Sequence, residues 1–125
     1  MFLYTFIPDK TSKMKKIEAI IRSEKFQEVK QALQEIGVVF FTYWDATGVG
    51  NETHGHVYRG VAYSTSDIPR RMLSIVVSPE KAEETVQVLL KNAHTGKVGD
   101  GKVFVSNIEE AYRIRTQESG TKSLS

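Results

Sequence analysis

The residues best suited to chemistry lie in the stretch T-G-K-V-G-D-G-K-V-F-V, residues 95–105. Its three glycines allow the backbone N–H groups to turn toward an anion without a Cβ in the way. Lys97 and Lys102 add positive charge beside those N–H groups. The stretch therefore predicts a phosphate-binding loop.

The same residues partly match the Walker A pattern. Residues 96–102 satisfy its first seven positions, but the eighth is Val103, which has no hydroxyl for Mg²⁺. The glycines also follow a predicted helix and precede a predicted strand, the reverse of a P-loop. We therefore expect a phosphate loop of another kind, and on these residues alone a plain helix-to-strand turn stays open.

Two arginines follow about ten residues later. If residues 113–115 form a strand, alternation places the guanidinium groups of Arg113 and Arg115 on one face and Ile114 on the other. Paired guanidinium groups suit phosphate or carboxylate recognition. Taken alone, such a pair is also typical of a solvated strand face.

Composition sets limits on the fold and on partners. A chain of 125 residues fits one domain. Its net charge of +2 indicates no general polyanion surface, so we expect no nucleic-acid binding. The absence of cysteine excludes disulfides, thiolate chemistry and Cys-ligated zinc. The first eight residues lack the basic segment of a signal peptide, and we interpret residues 1–13 as a tag, an upstream start or the end of a linker.

The elements that must position these residues follow from periodicity. In the first half, alternation predicts a strand over 15–22. The three-and-four spacing of apolar residues predicts a helix from Ser23 to Gly37, and an apolar, β-branched and aromatic run predicts a strand over 38–44. The helix has one apolar stripe: Phe26, Val29, Leu33 and Ile36. Periodicity then disappears over 46–68, and a loop of that length usually serves a function.

In the second half, the pattern predicts a strand over 72–77, a helix capped by Ser78 and Pro79, and a short strand over 103–105. The predicted apolar stripe of this helix is Ala82, Val86, Leu89, Leu90 and Ala93. The polar tail from Gln117 is predicted to be mobile.

The order β-α-β, long loop, β-α-β is typical of the ferredoxin-like α+β fold, with two helices on one face of an antiparallel sheet. Because two helices cover only one face, we expect the sheet, with Ile20, Phe40 and Ile75, to bury its other face against copies of itself.

Several motifs occur together and in order: M-K-K-I-E-A-I-I from Met14, G-V-G at 48–50, Y-R-G at 58–60, the glycine loop, and R-I-R-T at 113–116. With them, residues 14–116 resemble the PII signal-transduction proteins, nitrogen regulators of the GlnB and GlnK type. The resemblance implies a homotrimer of ferredoxin-like subunits, a nucleotide between neighbours, and a long T-loop over about 48–68 that docks on partner proteins.

The resemblance also implies a set of nucleotide-binding residues. These are Thr42 and Val76 at the adenine, Gly48, Val49, Gly50 and Asn51 at the T-loop base, Gly99, Asp100, Gly101 and Lys102 at the phosphates, and Arg113 and Arg115 from the neighbouring subunit. Glu52 and Arg70 fall at the site where Mg-ATP and 2-oxoglutarate bind in this family.

Three T-loop residues match positions that contact a partner protein or are modified in the family. Arg59, beside Tyr58, resembles the arginine that blocks the pore of an ammonium channel. Tyr63 aligns with the tyrosine that a uridylyltransferase modifies in some members. The implied partner is therefore an ammonium transporter, reached from the cytoplasm by reversible recruitment to the membrane.

The T-loop base departs from the family pattern. Glu52 stands where a glutamine usually ligates Mg²⁺, which places a negative charge beside a dianionic effector. Asn51 replaces an arginine and Thr53 a lysine. We therefore hypothesise weakened 2-oxoglutarate binding and a response mainly to ATP and ADP.

The sequence also leaves other functions open. A PII module can instead regulate a metabolic enzyme such as N-acetylglutamate kinase, or belong to a transporter fusion. A slow ATP-hydrolysing enzyme is disfavoured, because no base or nucleophile other than Asp100 lies beside the loop. A metal site at His54 and His56 lacks a third ligand.

Overall fold

In the part of the chain that the structure describes, six strands and two α-helices make up the fold. The computed structural model describes residues 13–50, 56–58, 61–63 and 67–125, with side chains for 13–50 and 67–125. In chain order the elements are β1 (Met14–Ile21), α1 (Phe26–Glu35), β2 (Thr42–Gly48), β3 (His56–Tyr58), β4 (Val61–Tyr63), β5 (Ile68–Val77), α2 (Pro79–Ala93) and β6 (Gly101–Ile108). Short 3₁₀ helices cover Ser23–Lys25 and Gly120–Leu124.

The main sheet has the strand order β2-β5-β1-β6, and every neighbouring pair is antiparallel. With two helices, this is the ferredoxin-like α+β arrangement, and the predicted fold class is confirmed. Strands β3 and β4 form a separate two-stranded sheet within the long loop.

One face of the sheet carries the core. Ile17 of β1, with Leu73 and Ile75 of β5, is fully buried beside Leu33 of α1 and Leu89 of α2. Alternation along a strand explains this, because every second side chain points to the helices. Ile75 was expected on the uncovered face, and that expectation is wrong.

The opposite face, here called the open face, is formed by side chains of the other parity. Register places them in cross-strand rows, Trp44–Met72–Ile20–Lys102 and Thr42–Ser74–Glu18–Phe104. Trp44 and Phe104 are large apolar residues left about half exposed. Neither helix covers this face, as the sequence predicts for Ile20.

The helices begin and end close to the predicted residues. Ser23 does not cap α1, because the chain first makes the 3₁₀ turn Ser23–Lys25, and Gly37 ends the helix with φ +88°. On α2, Leu89 is buried but Leu90 is 50% exposed, so its place in the predicted stripe is wrong. Thr85 is buried instead and donates its hydroxyl to the Lys81 carbonyl over 2.8 Å.

Two predicted strands differ from the structure. Residues 38–41 are irregular, and β2 starts at Thr42 because its pairing with β5 begins there, at Thr42↔Ser74. Residues 113–115 form no strand. They enter a turn closed by the Gln117 N–H, which donates to the Arg113 carbonyl over 2.7 Å.

The tail folds back on the chain. Tyr112 forms an isolated bridge with Ser119, and the Gly120 N–H donates to the Ala111 carbonyl over 2.9 Å. The 3₁₀ helix Gly120–Leu124 follows and contacts β5. The structure thus places regular structure where the polar composition predicts a mobile tail.

Candidate functional site

The predicted phosphate loop connects the end of α2 to the start of β6. Its shape depends on the Asp100 carboxylate, which accepts the backbone N–H groups of Thr95 (2.8 Å) and Gly96 (2.9 Å) and the Thr95 hydroxyl. Because the start of the loop donates to the side chain at its end, the loop is closed by its own residues.

Arg22 fastens this loop to the sheet. Its Nε lies 3.0 Å from Oδ1 of Asp100, and its Nη2 donates to the Val98 carbonyl over 2.9 Å. The hydrogen bonds from Thr95 hold the pKa of the Asp100 carboxyl well below its usual range, and Arg22 and Gly96 act in the same direction against the effect of burial. Asp100 is therefore a carboxylate at physiological pH.

Sequence reasoning missed Arg22. It is 78 positions from Asp100, so no local spacing connects the two residues. The pairing exists because Ile21, its neighbour at the end of β1, lies opposite Gly101 at the start of β6. The Arg22–Asp100 pair can therefore be predicted only if β1 and β6 are already known to be neighbouring strands.

Three glycines give the loop its path. The φ values of Gly96, Gly99 and Gly101 are +88°, +103° and +102°, which residues other than glycine rarely adopt. At Gly101 a Cβ would lie 1.7 Å from the Ile20 carbonyl oxygen. The glycine requirement predicted from the sequence is thus a property of the backbone itself.

The positive groups of the loop lie outside this closed turn. Lys102 is exposed on the open face opposite Ile20, and Lys97 is exposed at the turn. Asp100, whose oxygens already accept four donors, holds the turn together. An incoming anion would therefore meet backbone and lysine first.

Arg70 joins the loop to the base of the T-loop. Its Nη2 donates to the Gly99 carbonyl over 2.9 Å, and its Nη1 to the Pro69 carbonyl over 2.9 Å. It lies near the start of β5, where Ile68 pairs with Gly48 of β2. Its predicted role toward an effector carboxylate stays a prediction.

Other predicted T-loop residues are described in part or not at all. Val49 and Gly50 follow directly after β2, and Val49 is exposed. Tyr58 ends β3 and Tyr63 ends β4. The predictions for residues 1–12 and for Asn51, Glu52, His54 and Arg59 lie outside the described residues.

The two predicted adenine contacts lie at the far side of the sheet. Thr42 is on the edge strand β2, and Val76 is near the end of β5. Both line one cavity of about 470 Å³. Lys102 is on the other edge strand, which lies three strand spacings, or about 14 Å, across the sheet from the strand of Thr42. Within one subunit, the predicted base contacts and the predicted phosphate contacts therefore lie toward opposite edges of the sheet.

The arginine pair does not have the predicted geometry. The Arg113 guanidinium is half-buried against the tail, with Nη1 3.0 Å from a Glu118 carboxylate oxygen. Arg115 lies in the turn and is exposed. The two guanidinium groups are therefore not side by side on one strand face, because no strand forms there.

Acidic and histidine side chains do not gather into a metal site in the part of the chain that the structure describes. No group of three His, Asp or Glu residues has the spacing to hold an ion there. The predicted Mg²⁺ ligand, Glu52, is outside that part.

Comparison with known proteins decides the family. The family model described as Nitrogen regulatory protein P-II matches residues 14–118. This chain belongs to the P-II family. Curated P-II proteins of Bradyrhizobium diazoefficiens and Azospirillum brasilense are 46% and 43% identical over 112 residues, covering 89% of this chain and 100% of each relative.

Structural similarity agrees with the P-II assignment. The crystal structure of Arabidopsis thaliana PII bound to citrate matches with a TM-score of 0.74 and 33% identity, over 94% of this chain and 96% of that one. The resemblance inferred from the motifs is confirmed. The P-II relatives carry the name of regulatory proteins, which is consistent with a function other than catalysis.

The helices of this P-II chain were also compared with the length of a membrane span. In the described residues, none is both long and apolar enough to cross a bilayer.

Proposed function

We propose that this P-II chain senses adenine nucleotides and controls an ammonium transporter through its T-loop. The observation that carries the proposal is the loop of residues 95–101, whose three glycines have positive φ and whose one carboxylate is fully engaged within the loop. Lys97 and Lys102 are left as the charged groups facing outward, which suits phosphate. Gly99 and Gly101 allow close approach of the backbone.

The nucleotide site lies between subunits of a homotrimer. The open face supplies a large uncovered sheet surface for assembly, with Trp44 and Phe104 half exposed. Because Thr42 and Lys102 lie on opposite edge strands, a neighbouring copy brings a second set of contacts to each edge. Arg113 and Arg115 then reach the phosphates from the neighbour.

Signalling follows from a population shift. ATP and ADP differ in their contacts with the phosphate loop, and each stabilises a different T-loop conformation. Arg70 connects the two, since it binds the Gly99 carbonyl and lies near the start of the strand that follows the T-loop. Mg²⁺, held through ATP and Glu52, would neutralise phosphate charge.

The output residues are on the T-loop. Tyr58 and Arg59 contact the transporter, and Arg59 supplies a long cationic side chain for its pore. Tyr63 is the candidate for modification. The protein works in the cytoplasm and reaches the membrane through its transporter. A pull-down on ammonium-channel membranes with ADP, then ATP, tests this: retention that differs between the two nucleotides is expected, whereas equal retention or none contradicts it.

A carboxylate effector binds weakly. The related Arabidopsis PII was crystallised with citrate, which shows that a P-II protein can hold a carboxylate. Here Glu52 adds negative charge at the expected 2-oxoglutarate site. Calorimetric titration of 2-oxoglutarate with Mg-ATP present is expected to show little heat, and micromolar affinity contradicts the proposal.

Nucleotide binding is tested by calorimetry with Lys102→Gln and, as matched control, Lys91→Gln. Lys91 is exposed in the last turn of α2, before the loop begins. Loss of a phosphate contact should raise the Kd for ATP by about tenfold, or ~1.4 kcal/mol, in K102Q only. Equal Kd values in all three proteins would exclude the loop as the phosphate site.

A further inference from the structure

We propose that the C-terminal 3₁₀ helix, Gly120–Leu124, is a latch that forms one wall of the adenine cavity and that Arg113 holds in place. The inference rests on the proposed nucleotide function and adds a regulatory step to it. Arg113 keeps the latch closed, and nucleotide binding opens it.

The first observation is where the tail lies. Ser123 and Leu124 line the same cavity of about 470 Å³ as Thr42 and Val76, the predicted adenine contacts. Leu124 also lines an adjoining, mainly apolar cleft of about 450 Å³, beside Val38 and Val77. A flat apolar base entering these cavities would therefore meet the tail as part of their lining.

The second observation is what holds the tail. The Arg113 guanidinium pairs with the Glu118 carboxylate at 3.0 Å and donates to the Lys122 carbonyl at 3.4 Å. The backbone N–H of Arg113 donates to the Glu118 carbonyl over 2.8 Å. One arginine thus connects the turn before the tail to the 3₁₀ helix.

The third step is competition for that guanidinium. Arg113 is also the arginine proposed to bind nucleotide phosphates, and a phosphate can accept two parallel N–H groups of a guanidinium, whereas the Glu118 carboxylate accepts from Nη1. If Arg113 turns to a phosphate, the tail loses its ion pair and its Lys122 contact together. By linkage, the factor by which bound nucleotide opens the tail equals the factor by which a closed tail lowers the affinity for nucleotide.

Two substitutions in the full chain loosen the latch at different points. Glu118→Gln removes the ion pair and keeps the shape of the side chain, whereas Leu124→Ala removes the apolar contact and leaves Arg113 unchanged. Each should lower the Kd for ATP by about two- to fivefold, because the competent state is populated more.

Each variant has a matched control. Glu109→Gln removes the same charge from an exposed carboxylate that has no hydrogen bond or ion pair in the described part of the chain. Leu90→Ala removes the same side chain from an exposed position on α2. Neither control should change the Kd.

Hydrogen exchange supplies a second measurement. Residues 117–125 of the unchanged protein should exchange faster when ATP is added, and those of L124A should exchange fast without it. Slower exchange of the tail with ATP overturns the latch.

The outcomes separate the two proposals. If the unchanged protein binds ATP and both variants bind it equally well or less well, the latch is overturned and the nucleotide function stands. If neither the unchanged protein nor the variants bind ATP or ADP, the nucleotide function is overturned. Tighter binding in both variants supports the latch.

Discussion

Asp100 shows how a carboxylate can be built into the proposed anion site without repelling the anion. Its oxygens accept the Thr95 and Gly96 N–H groups, and Arg22 balances its charge at 3.0 Å. A free carboxylate in the same place would oppose phosphate binding. Asp100 therefore acts on the backbone of the loop.

Replacing Asp100 with Asn tests this role. The amide leaves fewer acceptors for the donors that now converge on the carboxylate, so the free energy of unfolding should fall by about 2 kcal/mol. Asp45→Asn is the control, because that carboxylate also pairs with an arginine, Arg71, but is 80% exposed. Urea denaturation at pH 7 measures both, and equal small losses would contradict the structural role.

The same variant predicts a pH dependence. The folded-state pKa of Asp100 is lowered, so its contribution to stability is complete above the unfolded value, about 3.9, and is lost as pH falls toward the folded pKa. The stability difference between unchanged protein and D100N should therefore be constant from about pH 7 to 5 and shrink below about pH 4. A difference that grows in acid has the wrong sign.

Gly101 predicts a larger effect. A Cβ there would lie 1.7 Å from the Ile20 carbonyl oxygen, at a φ of +102°. Gly101→Ala should lower the free energy of unfolding by about 3 kcal/mol or more, because both backbone strain and a clash must be relieved. At Gly48 the nearest atom to an added Cβ is 4.0 Å away, so Gly48→Ala is the control and should change stability little. Equal denaturation midpoints would refute the clash.

At the scale of elements, α2 shows that two neighbouring residues of the same type can differ greatly in burial. Leu89 is fully buried, while Leu90, one position on, is 50% exposed. Leu89→Ala should cost about 2–5 kcal/mol and Leu90→Ala less than about 0.5 kcal/mol. Thermal or urea unfolding of the pair checks this directly, and similar losses would place Leu90 in the core after all.

The elements also show what can be read from sequence. Alternation found β1, and the Ser-Pro start found α2, because both signals are local. The apolar run Val38–Phe41 looked like a strand, yet only Val38 is buried, since β2 is set by its pairing with distant β5. The periodicity of a single segment does not show where that segment begins to pair with a distant strand.

The candidate site divides in the same way. The glycine loop is a local pattern and was found, because its residues are consecutive. Arg22 was not found, because its bond to Asp100 depends on strand order. The alternation of Arg113 and Arg115 misled, since three residues are too few to distinguish a strand from a turn.

At the scale of the whole molecule, the sheet has one face covered by helices and one left open. The open face carries half-exposed aromatic residues, Trp44 and Phe104, which are typical of a contact between copies, beside an ion pair, Lys16–Glu18 at 3.7 Å, which is typical of a polar rim. Since the predicted base and phosphate contacts lie on opposite edges, assembly and nucleotide binding should depend on each other.

Two neighbouring residues of β6 test that dependence. Phe104 and Val105 are both 51% exposed, but Phe104 is on the open face in register with Glu18, and Val105 is on the helix side in register with Ile17. Phe104→Lys should therefore reduce the mass from three chains of 14.1 kDa to one, because a charge would be buried at the interface. Val105→Lys should remain trimeric.

Light scattering after gel filtration measures the mass, and calorimetry measures ATP binding of the same samples. Monomeric F104K should bind ATP at least about tenfold more weakly than V105K, since each cleft needs a neighbour. A monomeric F104K that keeps full affinity would show that one subunit holds the nucleotide alone. A trimeric F104K would instead show that the open face is not the contact between subunits, since a buried lysine there could not be tolerated.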